Sequence, residues 1–270
     1  MSIKKLITGL TLSLLLFSGV ASAASYDSAY STYKSGDYKA AFKEMLPLAE
    51  QGDVDAQFHI GSMYFAGNGI PQNHKAAVKW YTKAAEQGDK YSQGVLGGLY
   101  EDGIGVLQND KAAVKWYIKA AEQGFAQAQF RLGLMYNLGK GVLQNDKTAV
   151  KWFTKAAEQG NADGQFRLGL MYNLGEGVTK NDKAAVKWCT LAAEQGNSSG
   201  QYLLGIMYQY GAGVLTDNRR AYMWYSLGSY NGNELAAENK DKIAKEMTPA
   251  DISKAQDMSS TCLESNYTDC

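Results

Sequence analysis

The chain has 270 residues, with 27 basic and 27 acidic side chains, and is formally neutral at pH 7. That balance gives no general case for nucleic-acid binding, which needs a basic surplus on one face. Two histidines and three cysteines, none in metal-ligand spacing, give no case for a metal or other cofactor.

Residues 1–23 read as a secretory signal peptide. Lys4 and Lys5 open it, and Leu6 to Val20 is an apolar run of 15 residues, shorter than the ~20 that span a bilayer. Ala21-Ser22-Ala23 is a small-residue cleavage site. Cleavage is expected after Ala23, with Ala24 the close alternative, which puts the protein in the periplasm or outside the cell. No cysteine stands at that site, so no lipid anchor is expected, and no other apolar run is long enough for stable membrane insertion. The mature chain keeps 25 basic and 27 acidic residues, a net charge of −2.

Residues 24–51 read as an N-terminal cap. Tyr26 to Lys34 is a helix and Ser35-Gly36-Asp37 a turn, after which Ala40, Ala41 and Lys43 fall in phase with Ala76, Ala77 and Lys79. The same phase governs most of the remaining chain. Trp80, Trp116, Trp152, Trp188 and Trp224, all the tryptophans of the protein, lie 36 residues apart, as do Tyr64, Tyr100, Tyr136, Tyr172 and Tyr208. A fixed period of this length marks a repeat architecture. It divides the chain into five units, 52–87, 88–123, 124–159, 160–195 and 196–231. By length alone the mature chain allows two compact domains, but the repeats make it one elongated unit.

In the third unit Ala128, Leu132, Gly133, Met135 and Tyr136 form one apolar helical face. Gly139-Lys140-Gly141 breaks that helix. Asn145 and Asp146 are good N-caps for a second helix through Ala149, Trp152, Phe153 and Ala156, which Gly160 ends. A helix pair this small buries its apolar face only by stacking on its neighbours. Small residues such as Gly133 are expected to let helices approach, with the Trp and Tyr columns filling the space between them.

Residues 232–270 read as a C-terminal cap and tail. Glu234 to Glu246 is a charged helix, and Thr248-Pro249 restarts another, with Thr248 as N-cap and Pro249 at its first position. Cys262 and Cys270 flank a short tail loop, and in an exported chain a disulfide between them is expected. Cys189 falls in the column of Tyr81, Tyr117 and Phe153 and reads as a small buried apolar residue.

Leu132-Gly133-Leu134-Met135-Tyr136 carries the L-G-x-x-Y core of tetratricopeptide repeats, but at a period of 36, with the tryptophan in the second helix. With G-x-G-V between the helices and K-W-Y-x-K-A-A-E-Q-G closing the unit, the chain resembles the Sel-1-like repeat family over residues 26–258. The charged closing helices are similar to the tails of that family. The resemblance implies an all-α, right-handed α/α superhelical solenoid that serves as an interaction scaffold, in bacteria often exported and active in envelope assembly, signalling or host contact. It also implies that first helices line the concave side and second helices the convex side.

Ser31-Thr32-Tyr33-Lys34 reads S-x-x-K, the nucleophile motif of penicillin-binding enzymes, and some cysteine-rich relatives of the family are linked to penicillin binding or β-lactamase activity. S-D-N and K-T-G are both missing, as is the cysteine pair in every repeat, so no enzyme activity and no catalytic residues are expected. His59 and His74 stand in variable columns and read as surface residues. The G-x-G loops come after helices rather than strands, which makes them connections, not phosphate fingerprints.

Two surfaces carry information. Lys75, Lys79 and Lys83 recur as Lys111, Lys115, Lys119 and as Lys147, Lys151, Lys155, with Lys183 and Lys187 continuing the grid. It reads as a solubilising face, or as a ridge for an anionic envelope glycan, lipid head group or acidic protein. The second surface is a first-helix stripe whose side chains differ between units. Tyr91, Glu101, Asp102, Gln127, Arg131, Asn137, Asp163, Arg167, Asn173 and Tyr210 are its candidate partner-binding residues, since Arg and Tyr are common at hot spots. Leu134, Leu138, Leu170 and Leu174 belong to this stripe or to the core between units. The expected function is therefore an exported, non-enzymatic scaffold that takes a protein or peptide in its concave groove. Binding of a cell-wall or other anionic envelope glycan is the alternative, and a penicillin-interacting hydrolase the remote second.

Overall fold

The computed structural model describes residues 25–268 and 270; the expected signal peptide lies outside them. The described residues form 14 α-helices and no strand. The first helices of the five units are α3 (Val54–Ala66), α5 (Lys90–Asp102), α7 (Ala126–Leu138), α9 (Ala162–Leu174) and α11 (Ser198–Tyr210). Their second helices are α4 (His74–Glu86), α6 (Asp110–Glu122), α8 (Asp146–Glu158), α10 (Asp182–Ala193) and α12 (Asn218–Tyr230). Ahead of them lie α1 (Tyr26–Lys34) and α2 (Tyr38–Glu50), and behind them α13 (Glu234–Ala244) and α14 (Pro249–Glu264).

Each helix from α1 to α13 packs on the next in chain order, and α14 packs back on α12, which builds an α/α solenoid. First helices also touch across units, α5 with α7, α9 with α11 and α11 with α13, and approach one another more closely than successive second helices do. The first helices therefore lie on the inner side of the curve. The hydrophobic cores of the described residues fall within 26–267, one after another along the stack.

The repeated residues set this geometry locally. Asn73, Asn109, Asn145 and Asn181 cap the second helices, each accepting from a backbone N–H three residues on, as Asn145 does from Thr148 at 2.9 Å. The paired glycines of the connecting loop have separate duties. The first, such as Gly103 (φ 70°), ends its helix in the left-handed region. The second, Gly105, lies against the preceding unit, where a Cβ would come 2.5 Å from the His74 carbonyl oxygen. Small residues within the first helices meet aromatic rings: a Cβ on Gly133 would lie 2.6 Å from the Phe153 ring.

A column of buried amides runs through the stack, a feature the periodicity of apolar residues does not reveal. Gln57, Gln93, Gln129, Gln165 and Gln201 are all buried. Each donates from Nε2 to a carbonyl oxygen at the end of the preceding second helix, as Gln129 does to Ala121 at 3.0 Å. Each accepts on Oε1 from the amide that closes its own unit, Gln87, Gln123, Gln159, Gln195 or Asn231.

The tryptophans are less buried than expected. Trp80, Trp116, Trp152 and Trp188 are half-buried, each lying over the core formed between its own unit and the one before, as Trp152 does over the cluster of Ala113, Tyr117 and Leu132. Only Trp224 is fully enclosed, at 5% exposure. It is covered because α14 turns back and packs on α12, bringing Met258, Cys262, Leu263 and Tyr267 onto the same core.

Candidate binding groove

The inner face changes in character along the stack. At its N-terminal end it is aromatic. Tyr26, Tyr30, Tyr33 and Phe58 surround His59, with ring centres 5.0–5.7 Å from the imidazole. His59 is thus a half-buried member of this cluster, not an open surface residue, and its Nδ1 lies 3.2 Å from the Tyr26 hydroxyl. Burial, with Asp55 adding to it, pushes the Tyr26 hydroxyl well above its ordinary range. Tyr91 continues the aromatic surface between Phe58 and Phe125 and is half exposed.

The middle is charged, and the candidate residues divide here by what else they do. Glu101 accepts a 2.7 Å hydrogen bond from the Tyr117 hydroxyl, and burial together with this carboxylate holds that hydroxyl far above its ordinary pKa. Asn137 and Asn173 donate to Asp146 and Asp182 at 3.0 and 3.2 Å and so tie the end of a first helix to the start of the second. Gln127 and Asp163 accept from Asn161 and Asn197, the capping residues of the next unit, at 3.2 and 2.9 Å. These five have structural partners.

The other five are open to a ligand. Arg131 and Asp102 are exposed. Arg167 is half-buried, with its guanidinium 5.7 Å from the centre of the Phe166 ring. Tyr91 and Tyr210 complete the set, Tyr210 being 73% exposed. The four leucines split: Leu134 and Leu170 pack on the cores, while Leu138 and Leu174 stay exposed. An inner surface of this kind offers rings and leucines to apolar side chains, and two guanidinium groups to carboxylates.

On the outer face the lysine grid is not uniform. Lys83, Lys119 and Lys155 fold back over Trp80, Trp116 and Trp152, with the ammonium 4.0, 4.6 and 4.5 Å from the ring centre. This is cation–π geometry, and it shields the open side of each indole. Lys187 lies more loosely over Trp188, at 5.5 Å, and all lysines of the grid are exposed. Where α14 covers the stack, the columns of Lys79 and Lys83 hold Met223 and Leu227, both buried. In the Lys83 column the fourth unit already holds a leucine, Leu191, which is 36% exposed.

His74, also expected at the surface, is half-buried with its ring 5.0 Å from that of Phe65. Ser31 is exposed on α1, and the Lys34 ammonium lies over the Tyr30 ring, 4.5 Å from its centre. Cys189 is buried against the backbone of Gly169, and burial pushes its thiol up to about 12. Cys262 and Cys270 stand with their Cα atoms 4.7 Å apart, sulfur facing sulfur. Among the described residues no helix is long and apolar enough to cross a membrane.

Comparison with curated proteins finds no match. Among solved structures, the chain is similar to a Sel1 repeat protein from Oxalobacter formigenes, at 36% identity and a TM-score of 0.76 over 81% of this chain and 87% of that one. It is also similar to c5321, described as a protective antigen present in uropathogenic Escherichia coli strains displaying an SLR fold, at 25% identity and a TM-score of 0.45 over 90% and 77% of the two chains. A third likeness is to a Sel1 repeat protein from Klebsiella pneumoniae, at 22% identity and a TM-score of 0.47 over 75% and 99%. Solenoids of this type are commonly protein-interaction scaffolds and generally non-catalytic. The Sel1 repeat model matches residues 54–89, 91–125, 126–161, 162–197 and 198–233, two-thirds of the sequence, and the chain belongs to the Sel1 repeat family.

Proposed function

We propose that this protein is an exported, non-enzymatic scaffold that binds a protein or peptide in the inner groove of its solenoid. The observation that carries the reading is the set of inner-face residues whose polar groups are not taken up by a hydrogen bond or ion pair among the described residues. Arg131, Arg167, Tyr91 and Tyr210, with Leu138 and Leu174, lie along one stripe and leave side chains to solvent. Extended or helical peptides are the usual guests of such grooves. The guest that fits this one has apolar side chains at both ends and an acidic centre facing Arg131 and Arg167. Export rests on the leader at residues 1–23 and on Cys262 and Cys270, which we read as a disulfide of an oxidising compartment.

The test is crosslinking from the cell envelope with the wild-type chain, followed by affinity measurement on the protein recovered. Arg131→Glu with Arg167→Glu is expected to abolish binding while leaving the melting curve nearly unchanged, because neither arginine holds an ion pair among the described residues. Loss on reversal of Lys115 and Lys151 instead would place the working face on the outside and favour an anionic glycan.

A further inference from the structure

The edge of the solenoid that carries the loops between first and second helices differs from the opposite edge. Leu107, Leu143 and Leu215 occupy the same position of three of these loops and are 91%, 91% and 90% exposed, more than any other large hydrophobic side chain described. None of them packs in a core. The valine before each, Val106, Val142 or Val214, does pack inward and anchors the loop.

Basic side chains lie along the middle of this edge, whereas the Leu215 loop has Arg220 and Asp217 beside it and Glu246 in the adjoining notch. Lys111 lies beside Gly139, Gly141, Val142 and Leu143 along a shallow notch, so the lysine of one unit meets the loop tip of the next. Lys147 repeats the arrangement against Gly175, Gly177 and Val178. Lys140, Lys180 and Lys183 are exposed on the same edge. Of the aspartates that open the second helices, Asp146 accepts from Asn137, while Asp182 accepts from Asn173 and also pairs with Lys180 at 3.7 Å, which offsets that lysine's charge. Glu176 and Glu246 are exposed acids near it, the second in the notch beside the fifth loop. The opposite edge has the reverse sign, with Glu86, Glu122, Glu158 and Glu194 all exposed.

We propose that this loop edge docks on a bilayer surface rich in anionic phospholipid. The leucine tips enter the boundary between head groups and acyl chains, and the lysines of the notches meet the phosphates. Apolar insertion and attraction to anionic lipid act together in such peripheral binding. The acidic edge then faces away from the membrane, and the inner groove stays free for its guest, so the two surfaces are used independently.

The experiment is vesicle co-sedimentation of the chain from Ala24 onward, which contains every described helix and lacks the apolar leader. Vesicles of phosphatidylcholine mixed with phosphatidylglycerol are expected to bind at least ~10-fold more tightly than pure phosphatidylcholine, with the difference falling as salt is raised. The combination Leu107→Ser, Leu143→Ser and Leu215→Ser, and separately Lys111→Glu with Lys147→Glu, are each expected to weaken binding about 10-fold. Reversal of Lys115 and Lys151 on the outer face should change it by less than about 2-fold. Circular dichroism checks each fold, and Leu143→Ser alone replaces the triple variant if that melts early. Equal binding to both kinds of vesicle, wild-type binding by the leucine variants, or an equal loss in the outer-face control would each overturn the proposal. None of these readouts depends on the guest of the inner groove.

Discussion

Gln159 donates from Nε2 to Oε1 of Gln129 at 2.6 Å, and Gln129 in turn donates to the Ala121 carbonyl oxygen at 3.0 Å. Two bonds thus join the end of one second helix, the middle of a first helix and the end of the next second helix. Gln129 is buried while Gln159 is exposed at the rim, so the two are not equivalent. Gln129→Ala strands a carbonyl and an amide and is expected to cost about 2–3 kcal/mol, whereas Gln159→Ala, whose partner can turn to water, costs about 1 kcal/mol. Urea unfolding of the two single variants and the double variant measures both values and their coupling.

Tryptophan position predicts cost in the same way. Trp224, enclosed by α14, is expected to lose about 3–5 kcal/mol on truncation to Ala. Trp152, half-buried under Lys155, loses about 2–3 kcal/mol, and Lys155→Ala costs about 0.5–1 kcal/mol through the lost cation–π contact. The comparison is made by chemical unfolding followed by circular dichroism, since the variants remove fluorophores.

The tail is expected to depend on the proposed cysteine pair. Cys262 and Cys270 are 8 residues apart, and closing a loop of that size contributes about 2–3 kcal/mol in the chain-entropy account. Its effect falls on the segment around Tyr267, whose hydroxyl meets the Asn231 amide at 2.8 Å at the end of the glutamine column. Cys270→Ser should raise amide exchange near Tyr267 and Asn231 and leave exchange in the first three units unchanged.

High pH is expected to unfold the protein through buried groups that resist ionisation. Burial raises Cys189 from 9.0 to about 12 and Tyr81 from 10.0 to about 12, and raises Tyr117 and Tyr225 further. Above its ordinary pKa each group has lost its proton in the unfolded chain but keeps it in the fold. Stability is therefore undiminished by these groups below about pH 9 and falls progressively toward pH 12. Unfolding free energies measured across that range should decline less steeply in Tyr81→Phe. In the native protein at pH 8 the Cys189 thiol should be inert to a thiol reagent, and it should react once denaturant is added.

Much of the architecture is legible in the sequence because a repeat reports each contact five times. The phase of Trp152, Tyr136, Gly133 and Asn145 gives the helices, their caps and their stacking. The Gln129 column has the same period and was legible in principle, but polar residues at a fixed spacing read as surface unless the backbone carbonyl they reach is known. The candidate groove was readable only as a stripe. Nothing in the spacing distinguishes Arg131, which is exposed, from Asn137, which is bound to Asp146 nine residues later.

The period, the order of helix, loop and helix, and the neutral charge balance are set by the sequence alone, because they depend on local preferences and on apolar faces that only stacking can bury. Which tryptophan is covered, which lysines lie over indoles and which inner-face residues keep free side chains were decided by tertiary structure. Those properties depend on what the neighbouring unit or closing helix places opposite each side chain. The change from Lys79 and Lys83 to Met223 and Leu227 takes its meaning only once α14 is seen lying across that face.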